Sequence, residues 1–396
     1  MKFPYWNTRK FSVSRVKRAV YRFYNRGRKD TRGSINVDKN LEGRFCPNPF
    51  SQVDLYEDGK VYACCSAWLP TPIGNLNHSS LMDVWNSQTS LAIRGSILDG
   101  SFRYCDHKVC PAIQNDSLPD LETAAENPLF RDAILNGKLE VSEAPVFINL
   151  CNDASCNLYC PSCRPGRINH PSGKEYQKRQ HLQDIVEQEL FTTPSERHFT
   201  VSVTGSGDPF ASAVFRKFLY GLNGNDFPNL SISLQTNGVL LTERSWARMA
   251  KIHSNIKTII VSFDAATEPT YQQTRRGGNW ELLLENTARL GRLRQTGELR
   301  FLRLDFVVQK ANYREMAEFV RLAKKLNADQ VQFAMLLDWG TWPLDIFRDQ
   351  CIWRQDHPEF KQFLEVLADP LLDDPLVNLG NMSGYRGLAV ANRLSS

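Results

Sequence analysis

The chain has 396 residues, 42% of them hydrophobic and 23% charged, enough for two domains with cores of their own or one large α/β domain with a smaller module. No run approaches the roughly 18–20 apolar residues of a membrane helix, and no apolar stretch follows the N-terminus as a secretory signal would. These observations speak against a helical membrane protein and point to a cytoplasmic one. The net charge of +5 is uneven: residues 1–45 carry 13 Lys/Arg against three Asp/Glu, a net +10, so the remainder sums to −5.

Taken in chain order, residues 1–45 form a basic N-terminal arm. Within it Val13, Val16, Val20 and Phe23 recur at helical spacing among Arg15, Lys17, Arg18 and Arg22. Such a helix suits contact with anionic lipid, nucleic acid or an acidic partner, and equally suits docking on its own protein with a solvated basic face. Residues 46–112 read as a separate small domain of short strand-like pieces, with a turn at Glu57-Asp58-Gly59 and a helix around 80–97. Residues 113–145 read as a connecting segment. From residue 146 to 345, strand patterns at 146–150, 199–203, 230–234, 258–263, 301–308 and 331–337 alternate with helical ones. The clearest helix covers 312–326, with Met316, Phe319, Val320, Ala323 and Leu326 on one face, and Asn312 followed by Glu315 as a capped start. Residues 346–396 read as a C-terminal tail. Six strands alternating with helices predict an α/β fold with a parallel sheet, a partial (β/α)6 TIM-like barrel whose ligands gather at the carboxyl ends of the strands.

Ten cysteines are many for a reducing compartment, where clustered thiols point to metals or catalysis. Directly after the first barrel strand, Cys156, Cys160 and Cys163 stand in a C-x3-C-x2-C loop. A cubane [4Fe–4S] cluster held by three thiolates keeps one iron open. An open iron can take the amino and carboxylate groups of a small molecule and pass it an electron, which is what reductive cleavage of S-adenosylmethionine (SAM) requires. A zinc site with Cys151 as fourth ligand is the alternative, although zinc favours paired C-x2–4-C knuckles.

The loop and its place after the first strand resemble the radical SAM superfamily, and further segments follow in that family's order. Thr204-Gly205-Ser206-Gly207-Asp208-Pro209 resembles its glycine-rich turn, which receives the SAM amino group, with Asp208 one methylene shorter than the usual Glu. Thr236-Asn237-Gly238 ends the third strand as in many members. Val261-Ser262-Phe263-Asp264, with Arg275 and Arg276 downstream, resembles the fourth-strand region, so that Ser262 and Arg275 map to contacts with the SAM carboxylate or ribose. Gln309 and Asn312 follow the fifth strand at the same rim. Ser162 stands where relatives often have a bulky residue by the adenine. The resemblance covers residues 146–337 and implies Gly205, Ser206, Gly207, Asp208, Asn237, Ser262, Asp264, Arg275 and Gln309 as cofactor contacts.

The N-terminal cysteines, with Cys46-Pro47-Asn48-Pro49-Phe50, Cys64-Cys65 and Cys105-x4-Cys110, look like a SPASM-type auxiliary cluster module, placed before the barrel rather than after it. The resemblance implies one auxiliary [4Fe–4S] cluster on Cys46, Cys64, Cys105 and Cys110, with Cys65 or His107 as replacement ligands; a four-thiolate structural zinc is the alternative. Cys151 and Cys351 read as buried thiols.

What the resemblance implies is an oxidoreductase or maturase that cleaves SAM to a 5′-deoxyadenosyl radical and abstracts hydrogen from an unactivated C–H bond. Its first substrate class is a peptide or protein, which would be crosslinked, epimerised or oxidised; a sugar or other small molecule is the rival. A flavodoxin- or ferredoxin-type electron donor is the implied partner. A reading from another class is a zinc-stapled protein binding nucleic acid or membrane through the basic arm. The catalytic acid or base is not readable, because it depends on the substrate's pose.

Overall fold

The computed structural model describes residues 38–394. The helix expected over 13–23 lies outside them, and with it the arm's expected contacts with membrane or nucleic acid. Three short strands come first: β1 Gln52–Tyr56, β2 Lys60–Tyr62 and β3 Gly74–Asn75. The six expected barrel strands follow within two residues at each end: β4 Phe147–Cys151, β5 Phe199–Val203, β6 Leu230–Thr236, β7 Ile256–Ser262, β8 Phe301–Val308 and β9 Gln330–Met335. A last strand, β10 Val377–Asn378, comes from the expected tail. All ten join one open sheet in the order β10-β9-β8-β7-β6-β5-β4-β1-β2-β3. Strands β4 to β9 are mutually parallel, as a partial (β/α)6 barrel requires.

The sheet does not stop at residue 146. Strand β1, from the cysteine-rich N-terminal region, pairs parallel to β4 over its whole length, from Gln52 beside Phe147 to Tyr56 beside Cys151. The turn at Glu57-Asp58-Gly59 then reverses the chain into β2, with Gly59 at φ +80°, a conformation that costs glycine little. The N-terminal region is therefore welded to the barrel edge by backbone hydrogen bonds. At the opposite edge β10 pairs parallel to β9, and the Asn381 amide oxygen accepts from the Met335 amide, so the tail continues the sheet.

Helices cover one face of this sheet. The helix expected around 80–97 is in fact two, Leu81–Trp85 and α1 Gln88–Leu98, because Ser87 accepts from the Ser90 amide and starts a new helix. Between strands run α2 Gly173–Leu190, α3 Ala213–Gly221, α4 Trp280–Thr296 and α5 Met316–Lys325. Helix α5 buries Met316, Phe319, Val320 and Ala323, the expected face. Its expected capping pair has other partners: Asn312 makes no cap bond and donates to the Asp264 and Val307 carbonyls, while the Glu315 carboxylate accepts from the Ala266 and Thr267 amides. These side chains fix the loop after β7 instead of a helix end.

Arg94 of α1 holds the N-terminal region together. It is fully buried, and its guanidinium donates to the Pro49, Trp85 and Leu139 carbonyls at 2.8–2.9 Å and to the Asn86 amide oxygen at 3.0 Å, stacked 4.1 Å from the Trp85 ring. Burial lowers its pKa to about 10. Lysine lacks the planar fork that reaches four acceptors at once. Arg94→Lys is expected to cost about 3 kcal/mol through buried acceptors left unpaired, read as a lowered denaturation midpoint in a chemical melt.

Candidate active site at the cysteine loop

The loop after β4 is held from several sides. Asp153 is fully buried; its carboxylate accepts from the Ser155 amide at 2.9 Å and the Ser212 hydroxyl at 2.6 Å. Arg164, next to the third cysteine, donates to the Ala154 carbonyl at 2.5 Å, the Ser206 carbonyl at 2.7 Å and the Cys163 sulfur at 3.3 Å. It ties the cysteine loop to the glycine turn after β5. That turn needs its glycines: a Cβ on Gly207 would stand 2.6 Å from the Asp153 and Ser155 carbonyl oxygens, and one on Gly205 would stand 3.0 Å from the Cys151 sulfur.

Cys156, Cys160 and Cys163 meet on the wall of one cavity of about 260 Å³ at the carboxyl ends of the strands. Gly205, Ser206, Gly207, Asn237, Ser262, Asp264 and Arg275 line the same cavity. Each thiol has a donor aimed at it: the Leu158 amide at 3.4 Å and the Asn237 amide at 3.7 Å on Cys156, the Arg275 guanidinium at 4.0 Å on Cys160, and Arg164 on Cys163. Such donors favour thiolates, which is the ligand form. Without metal, burial pushes the Cys156 thiol up to about 11 and raises Cys160 as well. Metal binding here must therefore displace protons.

Two expected contacts lie elsewhere. Asp208 is completely buried and does not line the cavity; its carboxylate accepts from the Thr236 hydroxyl at 2.7 Å and the amides of Asn237, Phe210 and Ala211 at 2.9–3.2 Å. It braces the ends of β5 and β6 against each other, and burial raises its pKa against those four donors. Gln309 is buried and does not line the cavity, and its amide nitrogen has no hydrogen-bond partner among the described residues. Asp264 lines the cavity in a left-handed conformation, φ +55°, pairing with Arg275 at 2.8 Å while accepting from the Val307 amide at 2.7 Å. Burial works against the Arg275 charge, but Asp264 and the Cys160 sulfur outweigh it and hold its pKa above the ordinary value.

Cys151, the fourth ligand of the zinc alternative, stands behind Gly205 and does not reach the cavity of the other three. Sequence reading missed Arg164, although a cation directly after a cysteine triplet is a signal in itself. It also missed Gln235, Asp305 and Trp339, which line the cavity without any motif around them.

Cys46, Cys64, Cys105 and Cys110 line a second cavity of about 180 Å³ with Trp68, Phe102 and Ile113. The Asn48 amide and the Trp68 indole both donate to the Cys64 sulfur at 3.2 Å. Cys65 does not line this cavity and lies within electrostatic reach of Asp54 and Cys151. His107 is buried outside it, its ring 3.4 Å from the Phe102 carbonyl. Among the described residues, no three His, Cys, Asp or Glu side chains converge on a single ion. In both places the thiols stand around a cavity, as the corners of a cluster demand, and the donor sets fit [4Fe–4S] clusters.

Family models agree with this geometry. The model of the radical SAM superfamily matches residues 154–323, and that of the SPASM iron–sulfur cluster-binding domain matches residues 46–115, together more than half of the chain. No curated protein matches. Among solved structures, "TYW1 with a lysine-pyruvate adduct bound" is 17% identical with a TM-score of 0.35, over 58% of this chain and 71% of that one. Streptococcus suis SuiB bound to precursor peptide SuiA is 13% identical with a TM-score of 0.41, over 62% and 51%. The structure "Native anSMEcpe with bound AdoMet and Kp18Cys peptide" is 21% identical with a TM-score of 0.33, over 49% and 51%, so the chain spans about half the length of the last two. With a SPASM domain ahead of its barrel, and with SAM and [4Fe–4S] clusters as cofactors, the chain belongs to the radical SAM superfamily.

Proposed function

We propose that the protein is a radical SAM oxidoreductase that abstracts hydrogen from an unactivated C–H bond of a substrate entering beside Trp339. The observation that carries this reading is the single cavity on which Cys156, Cys160 and Cys163 face Gly205, Ser262 and Arg275. The three thiols would hold the cluster, and SAM bound to it would supply the 5′-deoxyadenosyl radical. Of the chain's own groups, Arg275 is fixed by Asp264 and offers charge toward Cys160; Asn237, bonded to Asn157 at 2.9 Å, steadies the loop; and the glycine turn lets backbone approach the cofactor closely. Cys163 is exposed, which supports delivery of the electron to this edge by a flavodoxin- or ferredoxin-type donor. The four thiols of the N-terminal domain would hold the auxiliary cluster.

For the substrate, a peptide or protein is what the resemblance implies. A sugar or other small molecule is the rival, for which Gln235 and Asp305 on the cavity wall offer hydrogen-bond partners, while Val307, Met335, Leu336, Leu337 and Trp339 on the same wall suit the apolar groups of a peptide. The test is anaerobic reconstitution of the full chain, followed by SAM and dithionite. About eight iron and eight sulfide per chain, with release of 5′-deoxyadenosine, are expected. Stoichiometric zinc and no 5′-deoxyadenosine would overturn the reading.

A further inference from the structure

The amino ends of the barrel strands carry a cavity of their own, which shares no lining residue with the cavity of the cysteine loop. It measures about 380 Å³ and is lined by Thr200 of β5, Ser231 and Ser233 of β6, Lys257 and Thr258 of β7, and Arg300 just before β8. Thr236, at the other end of β6, lines the upper cavity. It stands about 16 Å along the strand from Ser231. In a closed (β/α)8 barrel the interior is filled by layers of branched apolar side chains. Here hydroxyls and two cations line the space instead.

The strand register gathers these groups. Thr200 pairs with Ser231, and Ser233 with Thr258, so the four hydroxyls come from three adjacent strands. Ile232 pairs with Ile256, yet Ser233 pairs with Thr258, so β7 carries one extra residue at Lys257. Strict alternation would admit only one of Lys257 and Thr258 to a given face, and an inserted residue re-aims the side chains around it. Both line the cavity, between the buried Ile256 and Ile259.

The charges here are unmatched. Nearby Arg303 pairs with Asp305 at 2.6 Å and Arg294 with Asp329 at 2.7 Å. Lys257 and Arg300 have no carboxylate partner among the described residues, and no acidic side chain lines the cavity. The Lys257 ammonium donates to the Ser254 carbonyl, while the Arg300 guanidinium and the four hydroxyls make no hydrogen bond to any described residue.

We propose that this cavity binds a phosphate group, either as the free ion or as a monoester on a small molecule. A phosphate carries between one and two negative charges near neutral pH and presents several strong acceptor oxygens. The planar fork of Arg300 can take two of them, Lys257 supplies a second positive charge, and the hydroxyls donate to the rest. A carboxylate, with one charge and two oxygens, would answer neither both cations nor four hydroxyls. A neutral ligand would leave both cations unmatched. The site lies at the opposite end of the strands from the cysteine loop, so it stands apart from the radical SAM reading and does not depend on it.

The test is calorimetric titration of the reconstituted full chain with inorganic phosphate and, separately, with glycerol 3-phosphate. An ionic strength of about 0.15 M screens attraction between exposed charges beyond roughly 8 Å. Saturable binding of at least one of the two is expected. Arg300→Gln and Lys257→Met should each weaken it about tenfold or more, the loss expected for a charge-assisted hydrogen bond. Arg300 is exposed, so its replacement leaves packing intact. Ser233→Val keeps both cations but replaces one hydroxyl with a methyl inside the cavity, and should weaken binding about fivefold. Tighter binding of glycerol 3-phosphate assigns a monoester as the ligand; equal or weaker binding assigns the free ion. Binding of neither compound, or affinity unchanged in Arg300→Gln or in Ser233→Val, overturns the proposal.

Discussion

Cys160→Ala should abolish release of 5′-deoxyadenosine while leaving the rest of the protein folded. Cys160 lies on the cavity wall between the other two loop thiols in sequence, with Arg275 aimed at its sulfur. Removing it leaves two thiolates, too few to hold a cubane in the loop. Its side chain is buried with Cys156 and Leu158 in a small cluster separate from the main core, so truncation removes little packing. The expected result is a fall of about four irons per chain, an unchanged signal from the auxiliary centre, and 5′-deoxyadenosine below detection. Iron analysis and chromatography of the quenched reaction check it, and a variant that releases as much as wild type would refute the ligand assignment.

Gly207→Ala should be almost as damaging, for a steric reason that no metal count would show. The new Cβ would be 2.6 Å from two backbone oxygens, those of Asp153 and Ser155, and neither can swing aside as a flexible side chain could. The glycine turn and the cysteine loop must then part, against the Asp208 amide bond to the Ser155 carbonyl at 2.9 Å and the Arg164 bridge. A displacement near 1 Å at a reacting centre costs roughly 100-fold in rate. The rate of 5′-deoxyadenosine release should fall by about that factor with the iron content preserved. Gly166→Ala in the same loop meets nothing within 4 Å and serves as the control that should behave as wild type.

Spacing alone put Cys156, Cys160 and Cys163 together, because three cysteines four and three residues apart must share a loop, and short strand-like runs alternating with helical patterns placed all six barrel strands to within two residues. The glycine turn, Asn237, Ser262, Asp264 and Arg275 were legible through resemblance, and the fold brings them to one cavity. Asp208 and Gln309 were not separable from them in sequence: a residue after a strand can turn to the cavity or to its neighbours, and the donors around Asp208 come from residues 2 to 29 positions away.

The sequence by itself determined the chemistry-bearing loop and the strand–helix alternation, since both depend on residues close along the chain. Tertiary structure alone decided that β1 joins the barrel edge, that Cys65 and His107 stand outside the auxiliary cavity, and that the polar side of β6 and β8 faces open space. The alternation of Ser231, Ser233 and Gln235 with leucine and isoleucine was written in the chain. A period of two says only that a strand has two unlike faces. Which face is packed against helices and which stays partly exposed is fixed by the partners on either side, and those come from distant parts of the sequence.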